Sequence, residues 1–425
     1  MKVVKLLLVL AVFATLTPTT VRADEVADWN RNLFEAAQLN NPPTSPLLIT
    51  RNAALVQAAV FDAINGIERR YTPVHVEPAA EPGSSRRAAA VQAAYAVLVR
   101  LYPSQSAALL AKRDASIAAI TDVDDSDYGR SIERGIAWGQ TVADTIWGWR
   151  LTDGITPAPA PFLGGANVGQ WRPTPSPFLS GAGVQFAYMT PWVIESPSQF
   201  RPGGPPTLTS QRYAADFNET KLKGDISGLN RTEDESFYSR FWNASTAGFF
   251  WNQIALTLAE RQHLTLSERS RLLALLNLSV ADAAIGCWEA KYTYTFWRPV
   301  TAIPLADTDG NPDTVASAFT SYLTTPNHPE YPSGHSCLSG AAAAVLSSSF
   351  GENTSFSVSS DAPEMAGVVR SYGSFSEILE EIKNARVYAG IHFRSACEDG
   401  TKLGARVADY VQSNALQRVN GNNDK

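Results

Sequence analysis

The stretch EYPSGHS, from Glu330 to Ser336, runs directly into the small-residue segment CLSGAAAAVL. That segment is predicted to be helical, so Pro, Ser, Gly and His stand together at a helix N-terminus. This end of a helix has unpaired N–H groups and a partial positive charge, which favour a bound anion. Gly334 allows close approach of the backbone, Ser333 adds a hydroxyl donor, and His335 adds a group that transfers protons near neutral pH. An ordinary turn with a serine cap would explain the same residues, so the rest of the chain has to distinguish the two.

The overall composition indicates a globular protein. The chain has 425 residues, of which 44% are hydrophobic and 18% charged, enough for one large domain or two. Its net charge is -6 at pH 7, whereas a nucleic-acid partner would require a basic surface. We therefore expect no nucleic-acid partner.

The N-terminus has the pattern of a secretory signal peptide. Lys2 and Lys5 precede the apolar run LLLVLAVFATL, and the residues VRA place a cleavage site after Ala23. A membrane anchor is the alternative, but the run is short for a bilayer span, and no later segment is expected to reach that length. We expect residues 1–23 to be removed and the mature protein to be secreted, extracellular or periplasmic, without a membrane span. At the other end, NGNNDK predicts a disordered tail over 419–425.

The mature chain is predicted to be all-α. Segments such as RNAALVQAAVFDAINGI carry apolar residues at helical spacing, Thr265 with Glu268 forms a capping pattern, and VVRSYGS predicts a short strand. Between 153 and 210 the density of Pro and Gly excludes regular helix, while Trp, Phe and Tyr favour an ordered loop over a free linker. We divide the chain into an N-terminal helical region with this loop, 24–210, and a catalytic helical region, 211–418.

The segment KYTYTFWRP contributes two cations flanked by aromatic residues. Lys291 and Arg298 are seven residues apart, which is two helical turns, so both would face one side of a continuous helix. Pro299 disfavours helical geometry at Arg298, which predicts that Arg298 lies at the helix end. Because the neighbours are aromatic, we expect both cations to be partly buried and to require an anionic partner.

The segment NARVYAGIHFR adds Arg386 and His392. A helix that ends at Gly390 would let the chain turn His392 back toward Arg386. Together the three segments supply three cations, neutral donors and two histidines, which is what a tetrahedral oxyanion site requires. One histidine could attack or bind the central atom, and the other could transfer protons.

The order K-x6-RP, PSGH and R-x5-H resembles the signature shared by vanadium-dependent haloperoxidases and type 2 phosphatidic-acid phosphatases. The match extends over residues 291–400, and three ordered parts are far more specific than one short motif. The resemblance implies a helical bundle of that type in which five residues hold the oxygens of vanadate or phosphate: Lys291, Arg298, Ser333, Gly334 and Arg386. It also implies that His392 is the axial vanadium ligand, or the nucleophile of a phosphatase, and that His335 is the acid–base partner.

The same resemblance implies an enzyme. In a vanadium-dependent haloperoxidase, oxidised vanadium acts as a Lewis acid that activates hydrogen peroxide, which oxidises a halide to hypohalous acid. His328 lies five residues before Ser333, where bromoperoxidases of the family tend to carry His and chloroperoxidases Phe, so bromide is favoured over chloride. The alternative is a soluble acid phosphatase that hydrolyses phosphate monoesters through a phospho-histidine and uses no cofactor.

The chain departs from the phosphatase pattern at two positions. Ala385 stands where that pattern has Ser, and Ala396 stands where it has Asp, although Glu398 or Asp399 could substitute for the missing carboxylate. A serine hydrolase is excluded because Leu338 replaces the last Gly of G-x-S-x-G, and the zinc motif H-E-x-x-H is absent from the sequence. A non-catalytic oxyanion-binding protein is the remaining alternative, but it would not need two histidines.

The three cysteines, Cys287, Cys337 and Cys397, match no zinc-binding pattern. An odd number in an exported chain allows at most one internal disulfide. We interpret them as small buried residues with at most one bridge among them.

Overall fold

The fold is an assembly of helices with one small sheet. The computed structural model describes residues 24–121 and 128–419, and within these ranges it has 13 α-helices and a helical content of 59%, which confirms the all-α prediction. The helices are α1 (Glu25–Leu39), α2 (Pro46–Glu68), α3 (Arg86–Leu101), α4 (Ser106–Ala118), α5 (Tyr128–Arg150), α6 (Gln211–Gly224), α7 (Glu233–Ala244), α8 (Ala247–Arg261), α9 (Leu266–Tyr294), α10 (Pro299–Ala302), α11 (Gly334–Phe350), α12 (Phe375–Tyr388) and α13 (Arg394–Asn414). The predicted signal peptide and residues 420–425 of the predicted tail lie outside the described residues.

Two local predictions are confirmed. The segment VVRSYGS contains strand β2 (Val369–Tyr372), which pairs antiparallel with β1 (Phe356–Ser359). At the start of α9, Thr265 Oγ1 accepts from the Glu268 N–H at 3.3 Å, and Glu268 Oε2 accepts from the Thr265 N–H at 2.9 Å. This reciprocal pair is a capping box, which satisfies donors that the first helical turn cannot.

Helix α9 lies at the centre of the protein. It packs against α2, α8, α11 and α13, and every residue from Leu272 to Lys291 is buried. A helix that is apolar on all sides is stable only where protein surrounds it. The main hydrophobic core extends from Val26 to Leu416, so one core underlies both of the regions predicted from the sequence.

The expectation that no segment beyond the leader is long enough to span a bilayer is wrong by length and composition. Helices α2 and α9 are 23 and 29 residues long and apolar enough to pass that test. However, 89% of the most apolar window of α2 and 94% of that of α9 are buried inside the protein. Their apolar surface is covered by neighbouring helices, as in the core helices of globular folds.

Two buried aspartates attach irregular segments to these core helices. On α2, Asp62 accepts the consecutive N–H groups of Val74, His75 and Val76 at 2.7–2.9 Å. On α9, Asp282 accepts those of residues 192–194 at 2.7–3.0 Å. Loop N–H groups buried against a helix need acceptors, and a carboxylate can serve several at once.

We expect Asp282→Ala to destabilise the protein by about 3 kcal/mol or more, because three buried N–H groups would lose a charged acceptor. Asp282→Asn keeps one acceptor oxygen, so its stability should lie between that of Asp282→Ala and that of the wild type. The matched control is Asp28→Ala on the surface, where the ion pair with Arg31 is half-exposed and worth about 0.5 kcal/mol. Calorimetric unfolding would test this, and equal unfolding temperatures for the Asp282 and Asp28 variants would contradict it.

The Pro/Gly-rich segment 153–210 is anchored to the helical core. Trp171 and Trp192 are buried, and Arg150 at the end of α5 donates to the carbonyls of Thr190 and Pro191. Farther along, the Ala182 N–H donates to the Asn327 carbonyl at 2.7 Å. The segment therefore reaches the stretch that precedes PSGH.

Cys287, Cys337 and Cys397 are all buried and all free thiols. The bridge that the sequence allowed is not formed among them, which leaves the interpretation as small buried residues.

Candidate active site

The PSGH segment begins α11, but its serine is not an ordinary cap. Ser333 occupies the N-cap position without a side-chain bond to the first turn, and its hydroxyl instead accepts from the Ser336 hydroxyl at 3.2 Å. The Ser333 N–H donates to the Ala396 carbonyl at 2.9 Å, which fixes α11 against the start of α13. The alternative of a simple serine-capped turn is therefore not what the structure shows.

Gly334 packs closely against α9. A Cβ on Gly334 would lie 3.1 Å from two ring atoms of Trp288, so the indole ring would have to shift by a few tenths of an ångström to admit a larger residue. The glycine thus lets the N-terminus of α11 pack closely against α9, the helix that carries Lys291.

The Lys291 ammonium donates its hydrogen bonds to backbone carbonyls. Its Nζ donates to the carbonyls of Pro329, Glu330 and Pro332, the first two at 2.9 and 3.1 Å. Burial lowers the Lys291 pKa to about 8. The ammonium therefore holds the loop that leads into PSGH from beneath.

Arg298 reaches the site from beyond the end of α9. That helix ends at Tyr294 because Thr295 adopts a left-handed conformation, with φ of 48°. The prediction that Lys291 and Arg298 share one helix face is therefore wrong, and Arg298 lies in extended backbone before Pro299. The Trp297 N–H donates to Gly169 and the Trp171 N–H to Thr295, so pairing with the Pro/Gly-rich loop replaces the next helical turn.

The Arg298 guanidinium is the hub of the cluster. It donates to the His328 and Ile391 carbonyls at 2.9 and 2.6 Å, and Nη1 lies 3.1 Å from Nε2 of His392. Its Nη2 lies 3.0 Å from Nδ1 of His328. Burial lowers the Arg298 pKa to about 9, so this group is a cation at neutral pH.

His392 is fully enclosed between α12 and α13. Gly390, with φ of 75°, makes the turn that α12 needs at its end, and a Cβ there would lie 2.3 Å from the Gly224 carbonyl. Nδ1 of His392 lies 2.9 Å from Oε1 of Glu330. Burial and the nearby cations, led by Arg298, hold the His392 pKa well below its usual range, so the ring is neutral.

His335 lies on the first turn of α11 and is partly exposed. The backbone of Trp242 acts as an acceptor that favours a proton on the ring, while Nε2 is buried without a hydrogen-bond partner. We therefore assign the proton to Nδ1 and the lone pair to Nε2. Burial, together with the charge of Arg386, holds the His335 pKa well below its usual range.

His328 and Arg386 complete the cluster. His328 is partly buried, its ring lies 5.1 Å from that of Trp288, and burial with the charge of Lys291 holds its pKa well below the usual range. Arg386 is buried, and its one side-chain bond is to Asn243 at 3.3 Å. Its Nε has no partner, and no carboxylate of the described residues lies within ion-pair distance of it.

These residues fit a tetrahedral oxyanion. Three buried cations surround a single buried carboxylate, that of Glu330, so the cluster has an excess of positive charge. Buried cations require a partner, and both Arg386 Nε and His335 Nε2 have unused hydrogen-bonding capacity. Oxyanion oxygens are the acceptors that arginine donors match best. Every site residue predicted from the sequence lies in or beside this cluster.

Comparison with known proteins shows what the chain is similar to. Residues 271–421 match the family model described as the VCPO second helical-bundle domain. A crystal structure described as that of the first bacterial vanadium-dependent iodoperoxidase superposes with a TM-score of 0.76 and 26% identity, over 93% of this chain and 96% of that one. In this domain and in its fold, the chain is similar to the vanadium-dependent haloperoxidases.

Two other vanadium-dependent enzymes are also similar to this chain. Over 111 residues the chain is 33% identical to vanadium chloroperoxidase of Curvularia inaequalis, an alignment that covers 22% of this chain and only 18% of that protein. A holo-type bacterial vanadium-dependent chloroperoxidase superposes with a TM-score of 0.69 at 18% identity, over 89% of this chain and 95% of that one. The second likeness shows the common fold.

The carboxylate beside His392 differs from the two that the sequence suggested. Glu398 pairs with Arg212, and Asp399 accepts from the Tyr331 hydroxyl, so both are bonded elsewhere. Glu330 contacts the ring instead, and burial raises its pKa to about 7. One signal in the sequence could have identified Glu330: it is an acidic residue inside an apolar, motif-bearing stretch, two positions before Pro332.

Proposed function

We propose that this protein is a vanadium-dependent haloperoxidase that oxidises halide with hydrogen peroxide, with bromide preferred over chloride. The observation that carries the proposal is the pairing of a neutral, enclosed His392 with a second neutral histidine, His335, whose Nε2 is free. A protein that only bound an oxyanion would need the cations but not a free base beside them.

The residues have separate roles in this proposal. Arg298 and Arg386 would hold the oxygens of vanadate, together with Ser333 and the backbone of Gly334 at the positive end of α11. Lys291 would add its charge while it holds the loop below. His392 would bind the central atom through Nε2. Bound vanadate would supply a Lewis acid that activates hydrogen peroxide toward halide.

His335 would transfer the protons. Its lone pair is on Nε2, the ring nitrogen that has no partner, and its lowered pKa keeps the ring neutral and able to accept a proton from hydrogen peroxide. The residue as a whole is partly exposed, although Nε2 itself is buried. His392, by contrast, is enclosed and bonded at both ring nitrogens.

The bromide preference is supported by His328. Its partly exposed ring stands between Trp288 and Arg298, beside the loop that carries Ala182. A neutral imidazole next to a guanidinium offers a polar site that a large, weakly hydrated anion can approach.

A paired assay on one preparation tests the proposal. We expect bromide oxidation by hydrogen peroxide only after vanadate loading, and a chloride rate that is lower by roughly tenfold or more. Without vanadate, we expect no comparable hydrolysis of a generic phosphate ester. The His392→Ala protein serves as the control for contaminating activity. Ester hydrolysis without halide oxidation would favour the phosphatase alternative, and equal bromide and chloride rates would overturn the preference alone.

A further inference from the structure

We propose that Glu330 is a positioning residue that fixes the tautomer of His392, with the proton on Nδ1 and the lone pair on Nε2. The role of this tautomer rests on the proposed function, since a histidine that binds vanadium must present a lone pair. The assignment of the tautomer itself rests only on the geometry around the ring.

The carboxylate of Glu330 is held through Oε1, while Oε2 is buried without a hydrogen-bond partner. Its Oε1 accepts the Phe393 N–H at 2.9 Å, and the same oxygen lies 2.9 Å from His392 Nδ1. The Glu330 N–H donates to the Phe296 carbonyl at 2.9 Å, and its own carbonyl accepts from Lys291 at 3.1 Å. The side chain is fully buried, so solvent does not compete for these contacts.

The partners of the two ring nitrogens allow only one neutral tautomer. Arg298 has donors and no acceptor, so its contact of 3.1 Å with Nε2 requires a lone pair on Nε2. A neutral imidazole then carries its proton on Nδ1, where Glu330 Oε1 accepts it. The assignment needs no assumption about the charge of Glu330, because Oε1 also accepts a backbone N–H.

Without Glu330, the described side chains would no longer fix the tautomer. Arg298 Nη1 also lies 3.5 Å from Nδ1, and this donor can serve whichever nitrogen holds the lone pair. Carboxylates that orient ligand histidines in this way typically contribute about 10–100-fold to metal affinity. A merely structural Glu330 would hold the start of α13 through Phe393 and would leave the imidazole tautomer unchanged.

The test uses vanadate-free full-length protein labelled with nitrogen-15 in histidine. Nitrogen–proton correlation spectra report which ring nitrogen carries the proton, and His392→Gln assigns the resonance. We expect Nδ1–H in the wild type and in Glu330→Gln, whose amide oxygen can still accept, but a mixture or Nε2–H in Glu330→Ala. Equilibrium dialysis should show vanadate affinity reduced about 10–100-fold in Glu330→Ala.

The matched control is Asp216→Asn. Asp216 is equally buried and accepts the Ser395 N–H at the start of α13, but it does not contact His392. This variant should keep both tautomer and affinity. An Nε2–H wild type, or Nδ1–H with unchanged vanadate affinity in Glu330→Ala, would overturn the proposal. If Glu330→Ala does not fold, an Nε2–H signal in the wild type would still overturn the proposal. Failure of the proposed function would appear as a wild type without halide oxidation, which does not affect the tautomer measurement.

Discussion

Replacing His392 with Ala is expected to abolish vanadate retention, whereas replacing His335 with Ala should leave retention largely intact and reduce bromide turnover by roughly a hundredfold or more. His392 is enclosed and neutral, its Nδ1 contacts Glu330, and its Nε2, which accepts from Arg298, would bind the central atom. His335 has an Nε2 without a hydrogen-bond partner, which suits proton transfer.

Equilibrium dialysis with vanadate and bromide-oxidation rates, measured on both variants, separate the two roles. His263→Ala is the matched control, because His263 follows α8 on the surface, away from the cluster. It should change neither quantity. Loss of vanadate from His335→Ala with retention by His392→Ala would reverse the assignment.

The second large effect is expected at Arg386, where binding and stability should change in opposite directions. Arg386→Met should weaken vanadate binding by about 3–5 kcal/mol, because a buried anion would lose a charged partner. The same change should raise the unfolding temperature of the vanadate-free protein. In that state Arg386 is a buried cation with one bond to Asn243 and no carboxylate partner among the described residues.

Arg150→Met is the matched control. Arg150 is equally buried, but it has Asp153 at 3.3 Å and two backbone carbonyls as partners. Its replacement should lower the unfolding temperature and leave vanadate affinity unchanged. Calorimetry and dialysis on the two variants decide the matter, and an Arg386→Met protein that is less stable than the wild type without vanadate would contradict the prediction.

The elements that the sequence predicted are those set by local chemistry. Helix α9 follows from apolar residues at helical spacing and from the Thr265–Glu268 capping box. The turn at Gly390 follows from the conformational freedom of glycine, and it delivers His392 to the cluster as predicted. These features depend on neighbours within a few residues, so one sequence suffices to find them.

The features that sequence reasoning missed depend on distant parts of the chain. Helix α9 stops at Tyr294 because the loop around Gly169 pairs with the residues that follow, and spacing within KYTYTFWRP contains no sign of this. Glu330 was passed over although it begins the stretch EYPSGHS, since only the tertiary fold brings it to His392 across 62 positions. Lys291 was expected to face an anion. Only the path of residues 329–332 in the fold shows that backbone carbonyls accept its hydrogen bonds.

Under the proposed function, the burial of the sulfur-bearing side chains affects how long the enzyme survives its own product. Hypohalous acid attacks thiols and thioethers first, and oxidised sulfur disrupts the packing around it. Every sulfur-bearing side chain in the described part of the chain is buried: Cys287, Cys337, Cys397, Met189 and Met365. Attack on sulfur then has to wait for the helices to open. Inactivation by the product should therefore follow the rate of local unfolding, and stabilising the helical core should lengthen the working life of the catalyst.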